Sequence, residues 1–159
     1  MKFKAEKKHM KLAIKEAEKN FKTLDGGPFG SCIVRGGKVI AVARNTVLKN
    51  DATCHAEMNA IRAASKKLKS YDLSGCTIYS TTEPCTMCFS AIHWARIERI
   101  IYGTSIDDAA RVGFNELRID NKTMKRLGNS KIILAGAFLR EECRELFSKW
   151  NKDPNKKLY

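Results

Sequence analysis

Two short clusters of metal-binding side chains, His55-Ala56-Glu57 and Pro84-Cys85-Thr86-Met87-Cys88, constrain this chain more than any other feature. One imidazole and two thiols supply three of the four ligands of a tetrahedral zinc. For His55, Cys85 and Cys88 to share one ion, segments far apart in sequence must start side by side in space. Glu57 follows the histidine closely; it is not needed as a ligand and is placed to move protons. This is the layout of a catalytic zinc whose fourth position stays open to water. A closed zinc knuckle needs a fourth ligand. Cys54 is the nearest, but it adjoins His55, and adjacent residues rarely both reach one metal. A Cys-x-x-Cys redox pair would leave His55 and Glu57 without a purpose.

The local sequence places both clusters at helix starts. Cys85 and Cys88, spaced i, i+3, fall on one side of a first helical turn, where the positive end of the helix favours thiolate. Pro84 suits that first turn, and the helix is expected to run to about Arg96. His55 opens an Ala-rich helix to about Leu68. Upstream, Met10, Ala13, Ile14, Ala17 and Phe21 form one face of a first helix. Two β-rich runs, Phe29 to Arg35 and Lys38 to Val47, meet at Gly36-Gly37 as a hairpin. Further strands are expected over Thr77 to Thr81, Arg99 to Tyr102 and Lys131 to Ala135, and a last helix over Arg140 to Trp150. Between Gly103 and Asn129 the pattern is less regular, with a helical piece around Asp107 to Arg111. The order implies a three-layer α/β/α domain around a mixed five-stranded sheet. Both clusters then lie at the carboxyl ends of strands, where such folds place ligands.

Composition bounds the setting. A chain of 159 residues, 43% hydrophobic and 30% charged, is expected to form a single domain spanning 1–159. No apolar run approaches the roughly 18 residues of a membrane span, and the basic N-terminus, Met1 to Lys11, lacks a signal-peptide core. The six cysteines include two assigned to metal, and the rest lie in apolar segments, which fits a reduced, cytoplasmic protein. The net charge of +13 admits a nucleic-acid partner. Its even spread from Lys2 to Lys157, without interleaved aromatics, reads more simply as lysine-rich solvated surface.

With these motifs in hand the chain resembles the cytidine deaminase-like superfamily. Within it the chain looks most similar to guanine deaminases and related purine-base deaminases. The resemblance runs through Gly26-Gly27-Pro28-Phe29-Gly30, Asn45, Thr53 to Glu57 and Glu83-Pro84-Cys85. It continues through Ala91 to Arg96, Gly113-Phe114 and Lys157-Leu158-Tyr159. It implies one Zn2+ per chain on His55, Cys85 and Cys88, with Glu57 as proton shuttle. It implies a base pocket lined by Phe29, Asn45, Ala56 and Trp94, and a carboxylate, here Glu116, that reads the guanine edge. It also implies a C-terminal Tyr159 that closes the site, with the tail, about 151–159, supplied by the partner subunit of a swapped homodimer. The family usually has Asp where this chain has Glu116; the extra methylene moves the carboxylate by about 1.5 Å. By residue type alone Phe29 and Trp94 could equally be core aromatics, Glu116 a surface acid and Tyr159 an exposed terminus. The expected reaction is hydrolysis of guanine to xanthine and ammonia. The alternatives are a tRNA-specific adenosine deaminase, a guanosine, cytosine or cytidine deaminase, and a zinc-binding nucleic-acid module without catalysis.

Overall fold

The structure is a computed structural model and describes residues 4–159; Lys2, the first of the scattered basic residues, lies outside them. β1 (Gly30–Arg35) and β2 (Lys38–Arg44) form the expected hairpin, turning at Gly36 and Gly37, both with positive φ. Two consecutive left-handed residues make the tight turn whose twist matches that of the strands, and glycine adopts that conformation without steric cost. β1 also pairs antiparallel with β3 (Cys76–Thr82), while β4 (Arg99–Thr104) and β5 (Ile133–Ala135) continue parallel to β3. The sheet order is β2-β1-β3-β4-β5, the mixed five-stranded sheet that the sequence pattern predicts.

Strand alternation distributes the core to both faces. Ile33, Ile78 and Ile100 are in register and face α3 (Ala56–Leu68) and α4 (Thr86–Trp94). Their neighbours Cys32, Tyr79 and Ile101 face the other way, against Met10 and Ala13 of α1 (Lys7–Glu18) and Cys143 of α7 (Arg140–Lys152). Small residues let the helices approach closely. Ala56, Ala60 and Ala64 are fully buried on one face of α3, and Gly30 sits where a Cβ would collide with the Ala13 carbonyl oxygen. A third cluster joins Phe114, Phe147 and Trp150 to Phe29 and Tyr159 at the open end of the sheet.

Several boundaries differ from the sequence expectation, each for a local reason. α4 begins at Thr86, with Cys85 as an extended N-cap (φ −65°, ψ 174°) and Pro84 outside the helix. The helix ends at Trp94 because Arg96 turns left-handed. The irregular stretch holds α5 (Ile106–Arg111) and a further helix, α6 (Asn121–Leu127). Its start is marked by the N-cap Asp120, whose carboxylate accepts from Thr123 N–H at 2.8 Å. A short α2 (Asn20–Thr23) continues the path of α1. Among the described residues no helix is long and apolar enough to cross a membrane.

The α1–β1 contact leads to a first expectation. Gly30→Ala presses a methyl against helix backbone rather than a flexible side chain, so thermal unfolding should show a loss of about 1–3 kcal/mol. An unchanged melting temperature would mean that α1 does not pack this closely on β1.

Candidate active site

α3 and α4 start side by side, and each presents a ligand from its N-cap. His55 is the extended N-cap of α3 (φ −63°, ψ 157°) and Cys85 that of α4, with Cys88 in the first turn. His55 Nδ1 lies 3.6 Å from both Cys85 Sγ and Cys88 Sγ. Zinc bonds of about 2.3 Å to sulfur and 2.0 Å to nitrogen in a tetrahedron separate the ligand atoms by about 3.5 Å, so the donor set fits zinc as it stands. Among the described residues these three form the one cluster of potential ligands. Cys54 is outside it: its thiol is turned to Asp51 Oδ2 at 3.7 Å. All six cysteines are free thiols.

The electrostatics prepare the thiols for metal. Cys88 donates to Cys85, and that bond, with His55 beside it, draws Cys85 down to about 4 despite its burial. The same hydrogen bond, together with burial, pushes Cys88 well up. The surroundings thus favour loss of the first proton from Cys85, the ionised form in which a thiol ligates metal.

Glu57 is buried beneath the ligands. The hydroxyl of Ser80, projecting from β3, donates to its Oε1. Oε2 lies 3.5 Å from Cys88 Sγ and so is on the ligand side. Burial raises the Glu57 carboxyl above the ordinary range, as suits a group that must hold and release a proton.

The loop carrying Cys85 is pinned by a second buried carboxylate. Glu83 accepts from Asn121 N–H at 2.8 Å and Ile106 N–H at 3.2 Å, and Asn121 Nδ2 donates to the Pro84 carbonyl at 2.6 Å. Neither Ser80 nor Asn121 is legible as a site residue. A serine inside a strand has no local signature, and Asn121 becomes interpretable only once Asp120 is read as a helix cap.

Above Glu57 opens a cavity of about 240 Å³. It is lined by Phe29, Asn45, His55, Glu57, Cys85, Phe114, Glu116 and Tyr159, so most of the expected site residues share one chamber. Phe29 packs edge-on against Phe114, with centroids 4.8 Å apart. Glu116 faces the cavity, and burial, with the negative charge of Cys85 next, pushes its carboxyl up to about 7. Tyr159 accepts from Gly27 N–H through its hydroxyl at 2.9 Å, and its backbone carbonyl accepts from Asn115 N–H at 3.0 Å. A Cβ at Gly27 would strike the Phe29 ring and the Tyr159 hydroxyl, so only glycine lets both walls close here.

Two expected pocket residues stand elsewhere. Ala56 is fully buried in the first turn of α3 and does not line the cavity. Trp94 is 78% exposed. It lies at the far end of α4, about 13 Å along the axis from Cys85 at 1.5 Å per residue, beyond reach of this chain's own cavity.

Comparison with known proteins agrees with this geometry. Residues 3–104 match the model of the cytidine and deoxycytidylate deaminase zinc-binding region. The guanine deaminase of Bacillus subtilis (strain 168) is 41% identical over 135 residues, covering 84% of this chain and 86% of that protein. The tRNA-specific adenosine deaminase of Buchnera aphidicola subsp. Schizaphis graminum (strain Sg) is 34% identical over 148 residues, covering 91% and 92%. Among solved structures, guanine deaminase from Nitrosomonas europaea superposes with a TM-score of 0.84 at 27% identity, covering 95% of this chain and 87% of that one. The chain therefore belongs to the family of the cytidine and deoxycytidylate deaminase zinc-binding region and is a zinc-dependent aminohydrolase.

Proposed function

We propose that this protein hydrolyses guanine to xanthine and ammonia, as a cytoplasmic homodimer with one zinc per chain. The observation that carries the substrate assignment is the small cavity of about 240 Å³ with Glu116 in its wall and Tyr159 across it. This is smaller than the roughly 300–1,000 Å³ of sites for drug-sized ligands and suits a bare bicyclic base. Guanine deaminases among its relatives point the same way.

In the reaction a C–O bond forms at guanine C2 and the bond from C2 to the amino nitrogen breaks. When bound, zinc supplies Lewis acidity toward water at its open position. Glu57 does the proton work. Ser80 holds Oε1, leaving Oε2 to take the proton from water, deliver it to a ring nitrogen and assist departure of ammonia. Phe29 gives an aromatic face to the base and Asn45 a donor and an acceptor. Glu116 accepts from the N–H edge of guanine, a role for which its longer side chain is compatible with its place in the wall.

The tail and the free thiols complete the proposal. In the single chain Tyr159 returns to its own cavity. In a dimer that exchanges residues from about 151 onward, the same bonds to Gly27 and Asn115 would form between copies. The exposed Trp94 would then have an interface to occupy. Free thiols at all six cysteines fit a reducing cytoplasm. A tRNA substrate has one observation of its own, a surface groove lined by Lys122, Lys125, Arg126 and Lys131 without a carboxylate.

Ammonia release measured against guanine, guanosine, adenine, cytosine and an anticodon stem-loop is expected to be fastest with guanine; activity confined to the stem-loop would sink the free-base assignment. Glu57→Gln should keep one zinc per chain while turnover falls by about a hundredfold to ten-thousandfold, and retained turnover would remove Glu57 from the proton path. A chain ending at Lys152 should lose about tenfold or more in activity, the scale of two lost hydrogen bonds. Mixing that truncated chain with Glu57→Gln, under conditions that let subunits exchange, should restore activity if the tail acts in trans; no recovery would mean that each chain closes its own site.

A further inference from the structure

One buried amide, away from the metal ligands, touches both backbone points from which the cavity wall hangs. Asn20 is fully buried and uses both its amide hydrogens and both oxygen lone pairs. Nδ2 donates to the Gly27 carbonyl and to the Asn45 carbonyl, each at 2.8 Å. Oδ1 accepts from Arg44 Nε at 3.0 Å and from Thr23 Oγ1 at 3.2 Å. Arg44 is itself fixed, by Glu16 at 3.1 Å and Asp25 at 2.9 Å. The amide therefore has one orientation, set from outside the pocket.

Gly27 and Asn45 carry the recognition groups on this side of the cavity. The Gly27 N–H holds the Tyr159 hydroxyl, which Asn45 also hydrogen-bonds through its side chain. The Asn45 Oδ1 is tied to Val47 N–H at 3.0 Å. The glycine loop and the end of β2 are separate segments, and Asn20 bridges their two carbonyls directly. We propose that Asn20, oriented by Arg44, is a positioning residue for substrate binding: it fixes the spacing between the Gly27 loop and Asn45, and so sets where Asn45 and Tyr159 meet the base. The bridge is distinct from the metal ligands and Glu57, so its loss acts on binding before it acts on chemistry. The proposal rests on the reading of the cavity as a base pocket.

Asn20→Asp tests it, because it keeps the size of the side chain but replaces the one NH2 that makes both donations by an oxygen facing the two carbonyls. KM for guanine is expected to rise about tenfold or more, as for two lost hydrogen bonds, with kcat changing less than about threefold and one zinc per chain retained. Amide hydrogen exchange over residues 26–30, followed by mass spectrometry without substrate, should accelerate. Arg44→Lys keeps a cation near Glu16 and Asp25 but replaces the three-nitrogen guanidinium by a single ammonium, so the Nε bond to Asn20 is lost; it should shift KM and exchange the same way by a smaller factor. Unchanged KM and exchange in these variants overturn the proposal, as does a loss of zinc and kcat at constant KM. Failure of the wild-type protein to deaminate guanine would instead refute the substrate assignment. The exchange measurement, which needs no substrate, would still decide whether Asn20 holds the loop.

Discussion

α3 and α4 must begin within a few ångströms of each other, and the rest of the structure serves that proximity. The two helices follow strands on either side of β1 in the sheet order, and both pack on one face through the isoleucines of β1, β3 and β4. Alanines at Ala56, Ala60 and Ala64 bring α3 close to the sheet. β3 runs fully buried beneath the junction, so its inward Ser80 can reach Glu57. Metal ligands and proton carrier are thus positioned first by the same packing that forms the core.

Polar order around this centre is also built from the core outward. Glu83 satisfies the first N–H groups of α5 and α6, and Asn121 returns to Pro84. Both Glu83 oxygens and the Asn121 amide nitrogens are paired in this way, as burial away from water requires. Phe29 and Phe114 form the opposite wall, backed by Phe147 and Trp150, and the tail residue Tyr159 packs onto it. The cavity is therefore bounded by a rigid charged floor and an apolar side that depends on the last residues of the chain.

The sequence carried the ligands, Glu57 and the sheet plainly, because metal chemistry demands particular residue types at fixed spacing and strand alternation has a simple period. It also carried the hairpin, through Gly36-Gly37. What it lacked was anything set by long-range packing. Ser80 and Asn20 are ordinary polar residues until the fold brings them to Glu57 and to Gly27. The start of α6 was readable from the cap Asp120 and was obscured by the polar composition of the segment. For Trp94 the structure speaks only to this chain's own cavity. An aromatic in a matching motif suggests a pocket, but helix rise alone places it at the far end of α4, away from the chamber.

Side-by-side helix starts have a consequence for the metal itself. In small zinc modules the ion creates the fold, and removing it unfolds the chain. Here the ligand atoms are already at tetrahedral spacing because the sheet and two helices put them there. The buried core lies on both faces of the sheet and extends well beyond the ligand cluster, so the ion is one contribution to a much larger packed structure. Cobalt(II), whose visible absorption reports its coordination, could be introduced into the same three-ligand cradle as an optical probe of the centre.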